Sequence, residues 1–207
     1  PVEGQPLPDE RKQLTIGLYG NEADFYTVKG MAQTLLDVLR IREVEFIPCT
    51  DHPTFHAGRC AVLEKDGVQI GILGEVCPKV LGNYRIGVRV YLAKLDCAAL
   101  YAAQKEEMTY HPLPKYPAST RDLSLVCDNA LPIAQVEKAI RAGAGKILEK
   151  LELFDVYRGD QVGKDQKSVS YSLVLRKADG TLTDQDCDNA VAKALKKLEE
   201  IGVSLRQ

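Results

Sequence analysis

Apolar side chains at Val28, Met31, Leu35, Leu36 and Leu39 recur at the spacing of one helix face and predict a helix over 28–41. The period then changes. Residues 59–64 and 68–75 read as strands, and Lys65-Asp66-Gly67 between them supplies the Asp-Gly pair favoured in tight hairpin turns. Residues 88–95 read as another strand. The chain up to residue 104 is therefore expected to be a helix with an antiparallel sheet, behind a proline-bearing polar preamble reaching to about residue 12. Residues 105–115, with Glu106-Glu107, His111-Pro112 and Pro114, have the composition of a linker, so a second domain is expected over 116–207.

In that second part the order is strand 122–127, helix 132–142, strand 147–157, strand 167–176, helix 183–201 and a short strand 203–205. This is βαββαβ, the split arrangement of ferredoxin-like domains, and makes the whole chain α+β. Thr183 with Asp186 three residues on approximates a capping box, and Gly202 follows the last turn. Asp184, Asp186 and Asp188 suit the positive end of the helix dipole, so they read as caps and solvated surface, not metal ligands. Val191, Ala194, Leu195, Leu198 and Ile201 form the stripe expected to be buried.

In 168–175, Val169, Tyr171, Leu173 and Leu175 alternate with Ser168, Ser170 and Ser172: one face for packing on helices, the other open. In the preceding strand Leu151 and Leu153 share a phase, whereas Phe154 and Val156 take the opposite one. That slip predicts a bulge near Phe154, after which Asp155 and Tyr157 join the serine-lined face.

Composition narrows the picture. An apolar fraction of 45% supports a proper core. No apolar run approaches the roughly 18 residues that span a bilayer, and Pro1-Val2-Glu3-Gly4 lacks the order of a signal peptide, so a cytoplasmic protein is expected. The chain does not begin with Met, as expected of a fragment or a processed chain. Six dispersed cysteines without a Cys-x-x-Cys pair favour reduced thiols. His52 and His56 are four apart, but Pro53 and Gly58 argue for a loop, so no metal site is expected. Formal net charge is −2, with 11 basic and 13 acidic residues up to residue 104 and 16 of each beyond it. Any RNA partner must be recognised by shape and a few placed contacts.

Tyr116-Pro117-Ala118-Ser119-Thr120-Arg121-Asp122-Leu123 resembles the opening strand of the ferredoxin-fold anticodon-binding domain of bacterial phenylalanyl-tRNA synthetase β subunits. Leu153-Phe154-Asp155-Val156-Tyr157-Arg158-Gly159, Lys167-Ser168-Val169 and Gly180-Thr181-Leu182-Thr183-Asp184 resemble later parts of the same domain, as far as Gln207. Upstream, Asp24-Phe25-Tyr26-Thr27-Val28-Lys29-Gly30, His56-Ala57-Gly58-Arg59 and Ile70-Gly71-Ile72-Leu73-Gly74-Glu75 resemble that family's catalytic-like module, similar to a class II synthetase fold without a working active site. Cys77-Pro78 and Ala57-Gly58 depart from the family pattern, His-Pro and Pro-Gly-Arg respectively.

The resemblance implies the C-terminal, tRNA-binding and subunit-interface portion of a phenylalanine-tRNA ligase, with no catalytic residue of its own. It implies an α2β2 enzyme using ATP and Mg2+, with the α subunit, a second β subunit and phenylalanine tRNA as partners. By position Asp155, Tyr157 and Ser168 would meet the first anticodon base, with Tyr157 stacking. Arg158 and Lys167 would flank a phosphate-facing loop, and Arg121 is a further RNA candidate; surface solvation or ion pairing is the competing reading of all three. Two other functions fit βαββαβ. An acylphosphatase needs an arginine-bearing anion loop after the first strand, which Cys127-Asp128-Asn129-Ala130-Leu131-Pro132 lacks. A regulatory ligand-binding module would pair its sheet with another copy and be stabilised by an amino acid rather than RNA.

Overall fold

Asp24 opens the first helix. Its carboxylate accepts the Thr27 N–H at 2.7 Å while the Thr27 hydroxyl accepts the Asp24 N–H at 3.4 Å, a capping box that starts α1 (Phe25–Val38) three residues before the apolar spacing alone does. The helix ends through Arg40 at φ 59°, with the Ile41 N–H on the Leu36 carbonyl and the Arg40 N–H on that of Asp37. Val28, Ala32 and Leu36 form its buried line; Met31, expected inside, is 45% exposed because Ala32 takes the inner position.

These features belong to a computed structural model that describes residues 10–104, 110 and 112–206. It divides into two compact units with the boundary between residues 109 and 110. Of the expected linker, residues 105–109 and 111 lie outside the described residues, as does residues 1–9 of the preamble.

In the first unit α1 packs on a five-stranded antiparallel sheet, ordered β1-β5-β4-β3-β2. The strands are β1 (Gln13–Tyr19), β2 (Glu45–Pro48), β3 (Phe55–Lys65), β4 (Val68–Val76) and β5 (Val90–Asp96), with short helices α2 (Pro78–Asn83) and α3 (Cys97–Ala103). The β3–β4 hairpin turns through Asp66 at φ 50° and Gly67 at φ 78°, both left-handed, as an Asp-Gly turn requires. Glu75 is buried on β4 and accepts two hydrogen bonds from Arg59, at 2.5 and 3.0 Å. The guanidinium holds that carboxyl below its ordinary range.

The second unit is a four-stranded antiparallel sheet ordered β7-β8-β6-β9, the ferredoxin-like arrangement. It contains β6 (Ser119–Asp128), α4 (Ile133–Ala144), β7 (Leu148–Tyr157), β8 (Gln166–Leu175), α5 (Asp184–Glu199) and β9 (Ser204–Leu205). Leu123, Leu125 and Cys127 of β6 join Val169, Tyr171, Leu173 and Leu175 of β8 in the core with Val136, Ile140, Ala194 and Leu198 of the two helices. The helices meet closely: a Cβ at Gly143 would lie 2.4 Å from the Ala194 Cα. The expected box caps α5, with the Thr183 hydroxyl accepting the Asp186 N–H and the Asp186 carboxylate accepting that of Thr183. The helices cover only one face of the sheet.

Candidate nucleic-acid interface

The expected bulge is present. Leu153 pairs with Tyr171 and Asp155 with Ser170, leaving Phe154 as the extra residue, 57% exposed. The inserted residue reverses the phase of β7, so Asp155 and Tyr157 stand on the helix-free face opposite Ser170 and Ser168. Asp155, Tyr157 and Ser168 are thus brought together: Asp155 is exposed, Tyr157 half-buried and Ser168 fully buried.

Glycine sets the ring's direction. A Cβ at Gly159 would lie 2.5 Å from the Tyr157 hydroxyl and 2.8 Å from its Cζ, so the ring folds along the strand exit into space that only glycine leaves. Beyond it Arg158 is exposed and lines, with Asp160, Lys164, Gln166 and Asn129, a shallow depression of about 380 Å³.

Two expected residues stand elsewhere. Lys167 is buried, and its ammonium donates to the carbonyls of Asn129 at 3.1 Å and Leu131 at 2.6 Å. It is occupied in tying the β6–α4 connection to β8. Arg121 shares the phase of Leu123 and Leu125, which points it toward the helices; its guanidinium donates to Asp184 at 2.8 Å and lies 3.9 Å from Asp188. The same helix start holds the Asp186 carboxyl down to about 2, through the Thr183 N–H first, then the Lys177 ammonium and the Thr183 hydroxyl.

Arg206 escaped the sequence reading. Its Cζ lies 5.5 Å from the centroid of the Tyr157 ring, and its guanidinium donates to the Gln161 side chain at 2.6 Å. The available signal was strand alternation: Ser204 pairs with Val126 on the helix-free face, and Arg206 is two residues on. An aromatic ring, an exposed carboxylate, a hydroxyl and a planar cation on one sheet face suit a single-stranded base, which offers a flat surface and a hydrogen-bonding edge.

Residues 114–206 match the family described as the ferredoxin-fold anticodon binding domain, and residues 1–97 match the phenylalanyl tRNA synthetase beta chain CLM domain. The molecule thus joins a CLM domain to an anticodon-binding domain of ferredoxin fold. Over 205 residues, 99% of this chain and 26% of the relative, it is 40% identical to the phenylalanine–tRNA ligase beta subunit of Clostridium acetobutylicum. The corresponding subunit of Clostridium tetani is 40% identical over 97% of the chain and 25% of the relative, and that of Symbiobacterium thermophilum 37% over 100% and 24%. The chain belongs to the phenylalanine–tRNA ligase beta subunit family, and spans about a quarter of the length of these curated relatives.

Proposed function

We propose that this chain is the C-terminal, tRNA-binding and subunit-interface portion of a phenylalanine–tRNA ligase β subunit, and that its second unit holds the anticodon region of phenylalanine tRNA. The first anticodon base stacks on Tyr157. The Asp155 carboxylate accepts hydrogen bonds from the base edge, and the Ser168 hydroxyl donates or accepts beside it. Arg158 lies toward the neighbouring phosphate, whereas Lys167 and Arg121 act within the domain by holding the β6–α4 connection and the α5 start. The observation carrying this reading is the Tyr157 ring beside Asp155 and Ser168 on the helix-free sheet face.

The first unit is proposed as a catalytic-like module of class II synthetase type, packing against the α subunit in a cytoplasmic α2β2 enzyme. ATP and Mg2+ are assigned to the complete enzyme. The described residues hold no group of three or more His, Cys, Asp or Glu side chains placed for a metal, and no helix among them is long and apolar enough to cross a membrane. Phenylalanine attachment is assigned to α, with the β portion orienting the tRNA.

The direct test is binding of the full chain to a hairpin RNA carrying the phenylalanine anticodon, against the same hairpin with its first anticodon base replaced. Weaker binding of the replaced hairpin is expected. Equal affinity for the two would overturn the assignment of this face to base recognition.

A further inference from the structure

We infer that Arg206 is the cover of the base-stacking site: its guanidinium occupies the Tyr157 face that an RNA base takes, and the base enters by exchange with it. The inference rests on the stacking role of Tyr157 proposed above.

The cross-strand register places Arg206 relative to the ring. Tyr157, Ser168, Val126 and Ser204 form one row across β7, β8, β6 and β9. Neighbouring strands lie about 4.8 Å apart, so roughly 14 Å separates the ends of the row. The Arg206 backbone N–H is fixed at the far end, donating to the Ser124 carbonyl at 2.9 Å. Its guanidinium is nevertheless over the Tyr157 ring and bonded to Gln161 in the loop beyond β7. Arg206 is therefore held at two points, by its backbone on β6 and by its guanidinium at the ring and at Gln161.

A second observation concerns the serines beside the ring. Ser168 is 0% exposed and Ser170 7% exposed, although both are on the face the helices leave bare. Ser170 shares a hydrogen bond with Ser124 at 3.2 Å, but the Ser168 hydroxyl has no hydrogen-bond partner among the described residues. A buried hydroxyl without a partner is unfavourable, and the missing partner is what the edge of a stacked base supplies.

Relative strengths favour exchange. A guanidinium over an accessible ring contributes about 2- to 5-fold, whereas stacking a base on an aromatic side chain contributes about 5- to 150-fold. The base therefore displaces the guanidinium, and the covered state lowers apparent affinity by the fraction of sites it closes.

The test uses the full chain and a hairpin RNA carrying the phenylalanine anticodon, with binding kinetics at two salt concentrations. Arg206→Ala is expected to associate faster and bind about 2- to 5-fold tighter at both, because the competitor is gone. The gain should vanish in the Tyr157→Ala background, where there is no ring to cover. In the free parent chain the Arg206 side-chain protons should show ring-current shifts that disappear on Tyr157→Ala and on adding the hairpin. Unchanged or weaker binding by Arg206→Ala, or an equal gain without Tyr157, overturns the exchange. If Tyr157→Ala weakens binding but Arg206→Ala fails to tighten it, only the exchange falls. If Tyr157→Ala binds like the parent, the stacking role falls and takes the exchange with it.

Discussion

Tyr157 and Ser168 are direct cross-strand partners on β7 and β8, so the ring and the hydroxyl stand side by side on one sheet face. The hydroxyl is buried with no hydrogen-bond partner among the described residues, which separates its two possible roles. Ser168→Ala removes a polar group that contributes no hydrogen bond to the fold, and unfolding stability should change by less than about 0.5 kcal/mol. Hairpin RNA binding should nevertheless weaken, by about 2- to 10-fold for one lost hydrogen bond. Urea unfolding and RNA titration of the same sample check both; a clear stability loss with RNA binding intact would make Ser168 a packing residue.

Gly159 sets the direction of the Tyr157 ring. Its Cβ position is filled by the tyrosine hydroxyl end, so Gly159→Ala must turn the ring away. The ring end is mobile compared with backbone, so folding should survive while RNA affinity drops part of the way toward that of Tyr157→Ala. In the double variant Gly159→Ala with Tyr157→Ala, the glycine change should add nothing. An additive loss in that cycle would assign Gly159 a role of its own.

Lys167 distinguishes a phosphate contact from a structural tie. Loss of the two charge-assisted hydrogen bonds made by the buried Lys167 predicts that Lys167→Ala lowers unfolding stability by about 2 kcal/mol. The slope of log affinity against log salt should stay that of the parent. A slope reduced by about 0.7–0.9, as one phosphate contact requires, would return Lys167 to the RNA interface.

The Asp186 cap supplies a pH signature. Its folded pKa, about 2, lies below the ordinary carboxylate value near 3.9, so its stabilisation is fully present above about pH 4 and is lost as pH falls through about 2. The stability gap between the parent and Asp186→Asn should accordingly be constant between about pH 5 and 7 and close between about pH 4 and 2. A gap that persists at pH 2 would mean that shape, not charge, makes the cap.

Most of this domain's architecture was legible because its signals are local. The phase slip from Leu153 to Phe154 exposed the bulge, and Thr183 with Asp186 exposed the cap of α5. Edge strands were harder. β1 is only partly buried along its length, and β2 has four residues ending in Pro48, too short for alternation to register. α1 was read late because Asp24 and Thr27 mark its start by capping, outside the apolar stripe. The positions of Arg121 and Lys167 depended on which face and which carbonyls they would meet, and these are tertiary facts. Arg206 was hidden for the same reason: its partner on the ring lies three strands away.

The role proposed for the Tyr157 face is recognition of the anticodon base. The measurement closest to it is aminoacylation by the enzyme assembled with its proposed α subunit, comparing parent and Tyr157→Ala on phenylalanine tRNA and on the same tRNA with its first anticodon base replaced. Loss of stacking is expected to lower kcat/KM for the parent tRNA by about 5- to 150-fold and to shrink the difference between the two tRNAs. Tyr157→Phe, which keeps the ring, should lose little. Unaltered kinetics for both tRNAs in a folded Tyr157→Ala enzyme would make Tyr157 a packing residue only.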